Sequence, residues 1–289
     1  MYIVGFGETL WDLLPEGKQL GGAPANFAYH VSQLGCPGCV VSAVGKDGLG
    51  QEILNEFGQR DLHYLCNQVD FPTGTVAVTL DAQGVPSYEI KEEVAWDAIP
   101  FTRELTTLAQ ETQAICFGTL AQRHEHNRKT LRAFLDFMPE KDTYKVFDIN
   151  LRQHFYSREL IEESLEICNI LKINDEELET VRNLFNYPAI QVQLLCQQLL
   201  KDYALEIVIL TCGEKGSSIF TAKENSFLPT PKVEVVDTVG AGDAFTAAFV
   251  AALLQGKDLR DCHRLAVDVS AYVCTQHGAM PVLPPHLLK

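Results

Sequence analysis

The 289 residues, 46% of them hydrophobic, suffice for one large α/β domain, alone or with a smaller appendage. A formal charge of −15 excludes a bulk nucleic-acid binder, because phosphate backbones reward clustered Lys and Arg. No stretch approaches the roughly 18 consecutive apolar residues of a membrane span, and the opening Met1–Gly7 reads as a strand rather than a charged leader, so no membrane partner is expected.

Tyr2–Gly7 is a short β-rich run. Apolar residues at Phe27, Ala28, Val31 and Leu34 give Ala23–Leu34 a helical spacing, and Gly35 stands where a helix stops. Just beyond, Cys36-Pro37-Gly38-Cys39 has redox or zinc spacing, but no second Cys/His pair accompanies it, so the pair reads as structural. The nine cysteines are dispersed, several inside apolar runs, which predicts reduced thiols and a cytoplasmic protein. Cys39–Val44 is a buried-strand pattern, and Leu49–Phe57 resumes a helical one.

A different texture follows. Thr75–Leu80, the loop Asp81–Gly84 and Val85–Lys91 predict a hairpin, and the alternation in Thr75–Leu80 implies one covered face and one polar face. That suits a small sheet outside the main one. From about Phe101 a strand–helix rhythm returns, with strands at Ala114–Phe117, Lys145–Ile149, Ile170–Ile173 and Ile207–Leu210. Such alternation predicts a mainly parallel sheet with helices on both faces, which binds ligands at the carboxyl ends of its strands. No linker separates the two textures, so the appendage reads as an insertion into a single domain spanning 1–289, entering at about 11–20 and 62–98.

The stretch Asp237-Thr238-Val239-Gly240-Ala241-Gly242-Asp243 is the most informative. It follows a β-like run, Val233–Val236, and opens an alanine-rich helix reaching about Leu254. The first amides of a helix lack internal acceptors and sit at the positive end of the dipole, where phosphate is the natural guest. A carboxylate there would repel a phosphate unless it has another task, and accepting a proton from an attacking hydroxyl is such a task. By spacing alone, Asp243 is equally readable as a helix cap.

These residues resemble the carboxyl-terminal signature of the ribokinase-like, or PfkB, carbohydrate kinases. Gly21-Gly22-Ala23-Pro24-Ala25-Asn26, with Gly35 and Gly45 downstream, resembles the amino-terminal signature of the same family. The resemblance spans the chain and implies a ribokinase-like fold, a large parallel α/β layer with a small β-sheet lid. It implies ATP and Mg²⁺ as cofactors, with Asp243 as base and the Gly240–Asp243 turn as the anion hole, lined by the amides of Ala241, Gly242 and Asp243. Asp12, Gly22 and Asn26 match sugar-site positions. Asn174 and Glu177 match a motif that organises Mg²⁺, often through water. Thr211, Gly213 and Gly216 resemble the nucleotide-side turn, although a plain β-turn is equally compatible. Asp237, with the carbonyls of Val239, Val273, Gln276 and Gly278, resembles the K⁺ site of potassium-activated members. No G-x-x-x-x-G-K-[S/T] P-loop occurs.

For the substrate, Tyr88–Asp97, Gly118–Arg123 and Asp148–Arg152 resemble the fructokinase-like branch. Arg123 and Arg152 are candidate contacts to sugar or phosphate, with pairing of Arg152 to Asp148 as the structural alternative. Tyr88 or Trp96 would cover the sugar or pack within the lid. Fructose is the first expectation; ribose, another ketose, a sugar acid or adenosine are alternatives, as is a non-catalytic regulatory member. A lid-to-lid homodimer is expected because exposed strand edges need cover.

Overall fold

The computed structural model describes residues 1–14, 17–80 and 86–288; side chains are described outside 78–80 and 86–88. The expected hairpin loop Asp81–Gly84 and the side chain of Tyr88 therefore lie outside what is described. In chain order the first strands are β1 (Tyr2–Phe6), β2 (Leu10–Leu14), β3 (Gly17–Gly21), β4 (Gly38–Gly45), β5 (His63–Val69), β6 (Thr75–Leu80) and β7 (Pro86–Ile90). They continue with β8 (Thr112–Phe117), β9 (Tyr144–Asp148), β10 (Ile170–Asn174), β11 (Ile207–Thr211), β12 (Ser217–Thr221) and β13 (Asn225–Leu228). Nine strands form one sheet in the order β13-β12-β11-β10-β9-β8-β1-β4-β5, parallel except for the antiparallel β12 and β13 edge. The remaining four form a second sheet, β3-β2-β6-β7.

The helices are α1 (Ala23–Gln33), α2 (Gly48–Gln59), α3 (Arg103–Gln110), α4 (Glu125–Phe137), α5 (Arg158–Ile167), α6 (Asp175–Leu184), α7 (Val192–Asp202), α8 (Ala241–Leu254) and α9 (Leu259–Val273). Alternate residues of each central strand serve opposite faces, as the pleat requires. Val4 and Phe6 of β1 join Phe117, Phe134 and Phe147 in the core under α3 to α7, whereas Ile3 joins Phe27, Ala114 and Phe249 under α1, α8 and α9. Each fully buried Phe contributes roughly 1.5–3 kcal/mol of apolar burial. Helix α8 is buried at every position from Ala244 to Ala252, so it packs on all sides. Small alanines let it approach its neighbours α1 and α9 closely. Among the described residues no helix is long and apolar enough to cross a membrane.

Two expectations change. The second inserted segment, placed at 62–98, contains β5, yet His63–Val69 pairs in parallel with β4 along all seven residues and closes the large sheet. Leu65 and Val69 supply that strand's apolar side and pack on the core, which the span 62–98 overlooks. At the other end of that span, Ala95–Ala98 is a short 3₁₀ turn with Trp96 fully buried. Val233–Val236 is not a strand: it runs irregular and exposed, and among the described residues it joins no ladder. All nine cysteines are free, Cys36 half-buried and Cys39 inside β4.

The small sheet is held over α2 by its own residues. Buried Trp11 of β2 donates its indole N–H to the Leu49 carbonyl at 3.0 Å, and Lys18 of β3 lies over the Trp11 ring while pairing with Glu52. The sheet thereby overhangs the carboxyl ends of the parallel strands.

Candidate active site

Parallel strands bring their carboxyl ends to one edge, and here that edge collects Glu8 after β1, Asp148 ending β9, Asn174 ending β10 and Thr211 ending β11. The amino terminus of α8 meets them. Gly240, its N-cap, is left-handed (φ 76°), and a Cβ there would lie 2.6 Å from the Ala279 Cβ, so glycine serves both the turn and the close approach. The Ala241 amide reaches the Thr238 carbonyl at 3.3 Å. The amides of Gly242 and Asp243 belong to the first helical turn and lack intrahelical acceptors. Of the three expected anion-hole amides, these two are therefore the better placed.

Asp243 faces the cleft while protein surrounds its other sides. Its Oδ2 accepts from Asn26 Nδ2 at 2.8 Å, joining residues 217 positions apart. Burial, reinforced by the Asp148 charge, pushes its pKa up to about 6 against the opposing Asn26 bond, Lys172 and Arg152. That is where a general base operating near neutrality should titrate. Cap and base are both readable from the spacing; the Asn26 bond and the raised pKa favour the base.

Beneath the first turn lies Lys172 of β10, a residue the sequence reading passed over. Its Nζ is 3.0 Å from Asp148 Oδ1, with only 9% of either side chain exposed. Asp148 Oδ2 accepts in turn from Thr246 Oγ1 at 3.0 Å, tying β9 to α8. Burial opposes the ammonium charge, but Asp148 and Glu177 outweigh it, and the Lys172 pKa is raised. A Cβ on Gly242 would sit 3.1 Å from Nζ, so the glycine lets a fixed cation lie directly under the anion hole. The signal was a single charged residue within the apolar run Ile170–Ile173.

Glu8 was likewise missed, although it stands two residues after β1. It lines a small cavity with Phe117, Asp148, Asn150 and Asp243, and burial pushes its pKa up to about 7. Asp12 of β2 titrates at about 6, raised by burial against the Arg152 charge. Gly22 (φ 117°) brings the start of α1 over the Glu8 carbonyl, where a Cβ would meet oxygen at 2.4 Å. Asn26 therefore touches the base, Gly22 sets the start of α1 against Glu8, and Asp12 shares the Arg152 charge with Glu8 and Asp243.

The two arginines separate. Arg152 is exposed, makes no ion pair among the described residues, and opposes the carboxylates of Glu8, Asp12 and Asp243. Its alternative partner Asp148 is taken by Lys172. Arg152 lies between Asn150 (φ 44°) and Gln153 (φ 48°), both left-handed, and Asn tolerates that conformation better than most residues. Arg123, expected at sugar or phosphate, is instead bound into the protein. Its Nε and Nη2 donate to both oxygens of Asp97 at 2.7 and 2.6 Å, and Nη2 also donates to the Lys91 carbonyl at 2.6 Å. The guanidinium lies between the Trp96 and Phe155 rings, 4.0 and 4.7 Å from their centroids. Trp96 thus packs on Arg123 rather than covering the cleft. With side chains only 3% and 6% exposed, truncating Arg123 to Ala leaves Asp97 buried and uncompensated. Urea unfolding of that variant should register a loss of about 3–5 kcal/mol, and a loss under 1 kcal/mol would make the pair incidental.

The metal candidates are occupied by backbone. Asn174 Oδ1 accepts from the Glu177 amide at 2.8 Å, Glu177 Oε2 from the Asn174 amide at 2.9 Å, and Glu177 Oε1 from the Leu151 amide at 3.0 Å. This capping box starts α6, and burial raises the Glu177 pKa despite Lys172. Asn174 is a cap rather than a ligand, and Glu177 fits a cation only through water. Among the described residues no cluster of three or more His, Cys, Asp or Glu forms a metal cage. Asp237 accepts from the Val239 amide at 2.9 Å and the Gly278 amide at 3.2 Å, so it joins two turns. The Thr211–Gly216 turn closes the β11–β12 hairpin, its Cys212 amide bonded to the Gly216 carbonyl at 2.9 Å. Both the hairpin reading and a nucleotide-side position fit it.

A family model described as pfkB family carbohydrate kinase matches residues 16–285. An ATP-dependent 6-phosphofructokinase of Thermoanaerobacterium thermosaccharolyticum is 30% identical over 92% of this chain and 82% of its own length. A fructokinase of Klebsiella pneumoniae is 27% identical over 96% of this chain and 94% of its own. Among solved structures, an uncharacterized sugar kinase of Pyrococcus horikoshii in complex with ATP superposes with a TM-score of 0.81 at 25% identity, covering 97% of this chain and 94% of that one.

Proposed function

The chain belongs to the pfkB family of carbohydrate kinases, and from that premise we propose that it transfers the γ-phosphoryl group of ATP to a primary hydroxyl of a neutral sugar, fructose first. The observation that carries the choice of a neutral sugar is the charge around the base. Glu8 and Asp243 line one small cavity, and Arg152 is the cation opposing both of them and Asp12. A sugar acid or a sugar already phosphorylated would bring further negative charge into that field, at a cost of about 2–4 kcal/mol.

In this reading Asp12 and Asn26 orient the sugar, and Asp243 takes the proton of the attacking hydroxyl. As the oxygen–phosphorus bond forms and the bond to ADP breaks, the Gly242 and Asp243 amides and Lys172 face the developing charge. Mg²⁺ carried by the nucleotide would neutralise phosphate oxygens, with Glu177 reaching it through water. Thr211, Gly213 and Gly216 would border the nucleotide. The turns joined by Asp237 would offer their carbonyls to K⁺. Free thiols throughout suit a reducing cytoplasm.

The test is ADP release with Mg-ATP across fructose, ribose, other ketoses, sugar acids, adenosine and fructose 6-phosphate. Fructose should exceed fructose 6-phosphate and the sugar acids in kcat/KM by on the order of 100-fold. Preference for a phosphorylated or acidic sugar would overturn the neutral-sugar reading. Silence on every acceptor from folded protein would favour the regulatory alternative.

A further inference from the structure

Helix α1 carries a polar stripe inside an otherwise buried face. Asn26, His30 and Gln33 recur at i, i+4 and i+7, one line along the helix, and all three reach elements more than 200 residues away. Asn26 holds Asp243. His30, fully buried, places Nε2 2.8 Å from the Ala279 carbonyl. Gln33 donates to the Pro281 carbonyl at 3.0 Å and accepts from the Leu283 amide at 2.8 Å.

The middle contact is the one that bears on the anion hole. A carbonyl accepts only, so Nε2 carries the proton and Nδ1 is the bare nitrogen, without a partner among the described residues. Burial pushes the His30 pKa down to about 4, against the Ala279 bond, which keeps the ring neutral near pH 7. The Ala279 segment presses on Gly240, where a Cβ would meet the Ala279 Cβ at 2.6 Å. Asp237 bonds the amides of Val239 and Gly278, one from each turn. The 278–279 turn is thus held against the anion hole on one side and against α1 by His30 on the other.

We propose that His30 is a positioning residue for phosphoryl transfer: by donating to the Ala279 carbonyl it fixes the turn that backs Gly240, and so sets the anion hole against a base that α1 holds through Asn26. The inference rests on the kinase reading of this site but has a signature of its own. Losing the donor displaces the hole rather than the sugar contacts, so turnover falls while sugar affinity stays. A misplacement near 1 Å can cost about 100-fold.

The experiment compares His30→Phe with His30→Gln, whose amide nitrogen reproduces the reach of Nε2, by steady-state kinetics and by hydrogen exchange of the intact protein. In His30→Phe, kcat should fall roughly 10- to 100-fold, sugar KM should stay within about two-fold, and exchange should accelerate in 236–243 and 275–283 alone. His30→Gln should restore most of both. Unchanged kcat and unchanged exchange in His30→Phe would overturn the proposal. So would a glutamine variant as impaired as phenylalanine, or exchange accelerated across the whole chain, since either makes His30 an ordinary core residue. If the wild type phosphorylates no sugar yet the local exchange pattern and its rescue appear, the fixing contact stands and the kinase reading falls.

Discussion

Asp243→Asn should lower kcat by roughly 10²–10⁴-fold with little change in folding, because the amide keeps the side chain's shape beside Asn26. The wild-type pH profile should report the same group. A base must be ionised, and the Asp243 pKa is raised to about 6. Activity should therefore be full well above that pH and fall towards tenfold per unit below it. Glu8, at about 7, lines the same cavity, and Asp12, at about 6, shares its Arg152 partner, so the acid limb carries more than one carboxyl. Rates constant from pH 5 to 8, or an Asn variant within threefold of wild type, would remove Asp243 from the chemistry.

The second large effect concerns Lys172. Replacement by Met should lower stability by about 3–5 kcal/mol, because Asp148 is left buried without its partner. It should also lower kcat by about 10²–10³-fold, the scale of losing one fixed electrostatic contact to the transition state. The double variant Asp148→Asn/Lys172→Met separates the two losses. With both charges gone, most of the stability should return, since a buried pair is often replaceable by neutral groups. Turnover should stay low. Urea unfolding and kcat measured on both proteins decide the matter, and full turnover in Lys172→Met would reduce the lysine to a structural counter-ion.

The two effects illustrate which parts of the site a linear reading reaches. Asp243 stood out because a glycine turn opening a helix is a local device: left-handed Gly240, unbonded first amides and a carboxylate occupy consecutive residues. Arg123 misled for the complementary reason. Its place after a strand end points at the cleft, whereas its actual partners, Asp97, Trp96, Phe155 and the Lys91 carbonyl, come from three other segments. A guanidinium seeks whichever carboxylate and ring faces burial supplies, and spacing does not encode that choice. Asn174 and Glu177 show the same limit: the motif they match points to Mg²⁺, whereas the amides of Asn174, Glu177 and Leu151 that occupy their oxygens became visible only in the fold.

The sequence by itself determined the strand–helix alternation, the bounds of α1 and α8, the second sheet around β6 and the glycine turn that opens α8 with Asp243 in its first turn. Each depends on periodicity, glycine stereochemistry or helix-end amides, all properties of neighbouring residues. Only the tertiary structure decided that β5 closes the large sheet, that Lys172 lies under Gly242, that Glu8 shares a cavity with Asp243, and that Asn26 reaches Asp243 while His30 reaches the Ala279 carbonyl behind Gly240. Those outcomes turn on burial and on charge across contacts between distant segments. Desolvation and Coulomb energies depend on distance in space, and chain separation says almost nothing about it.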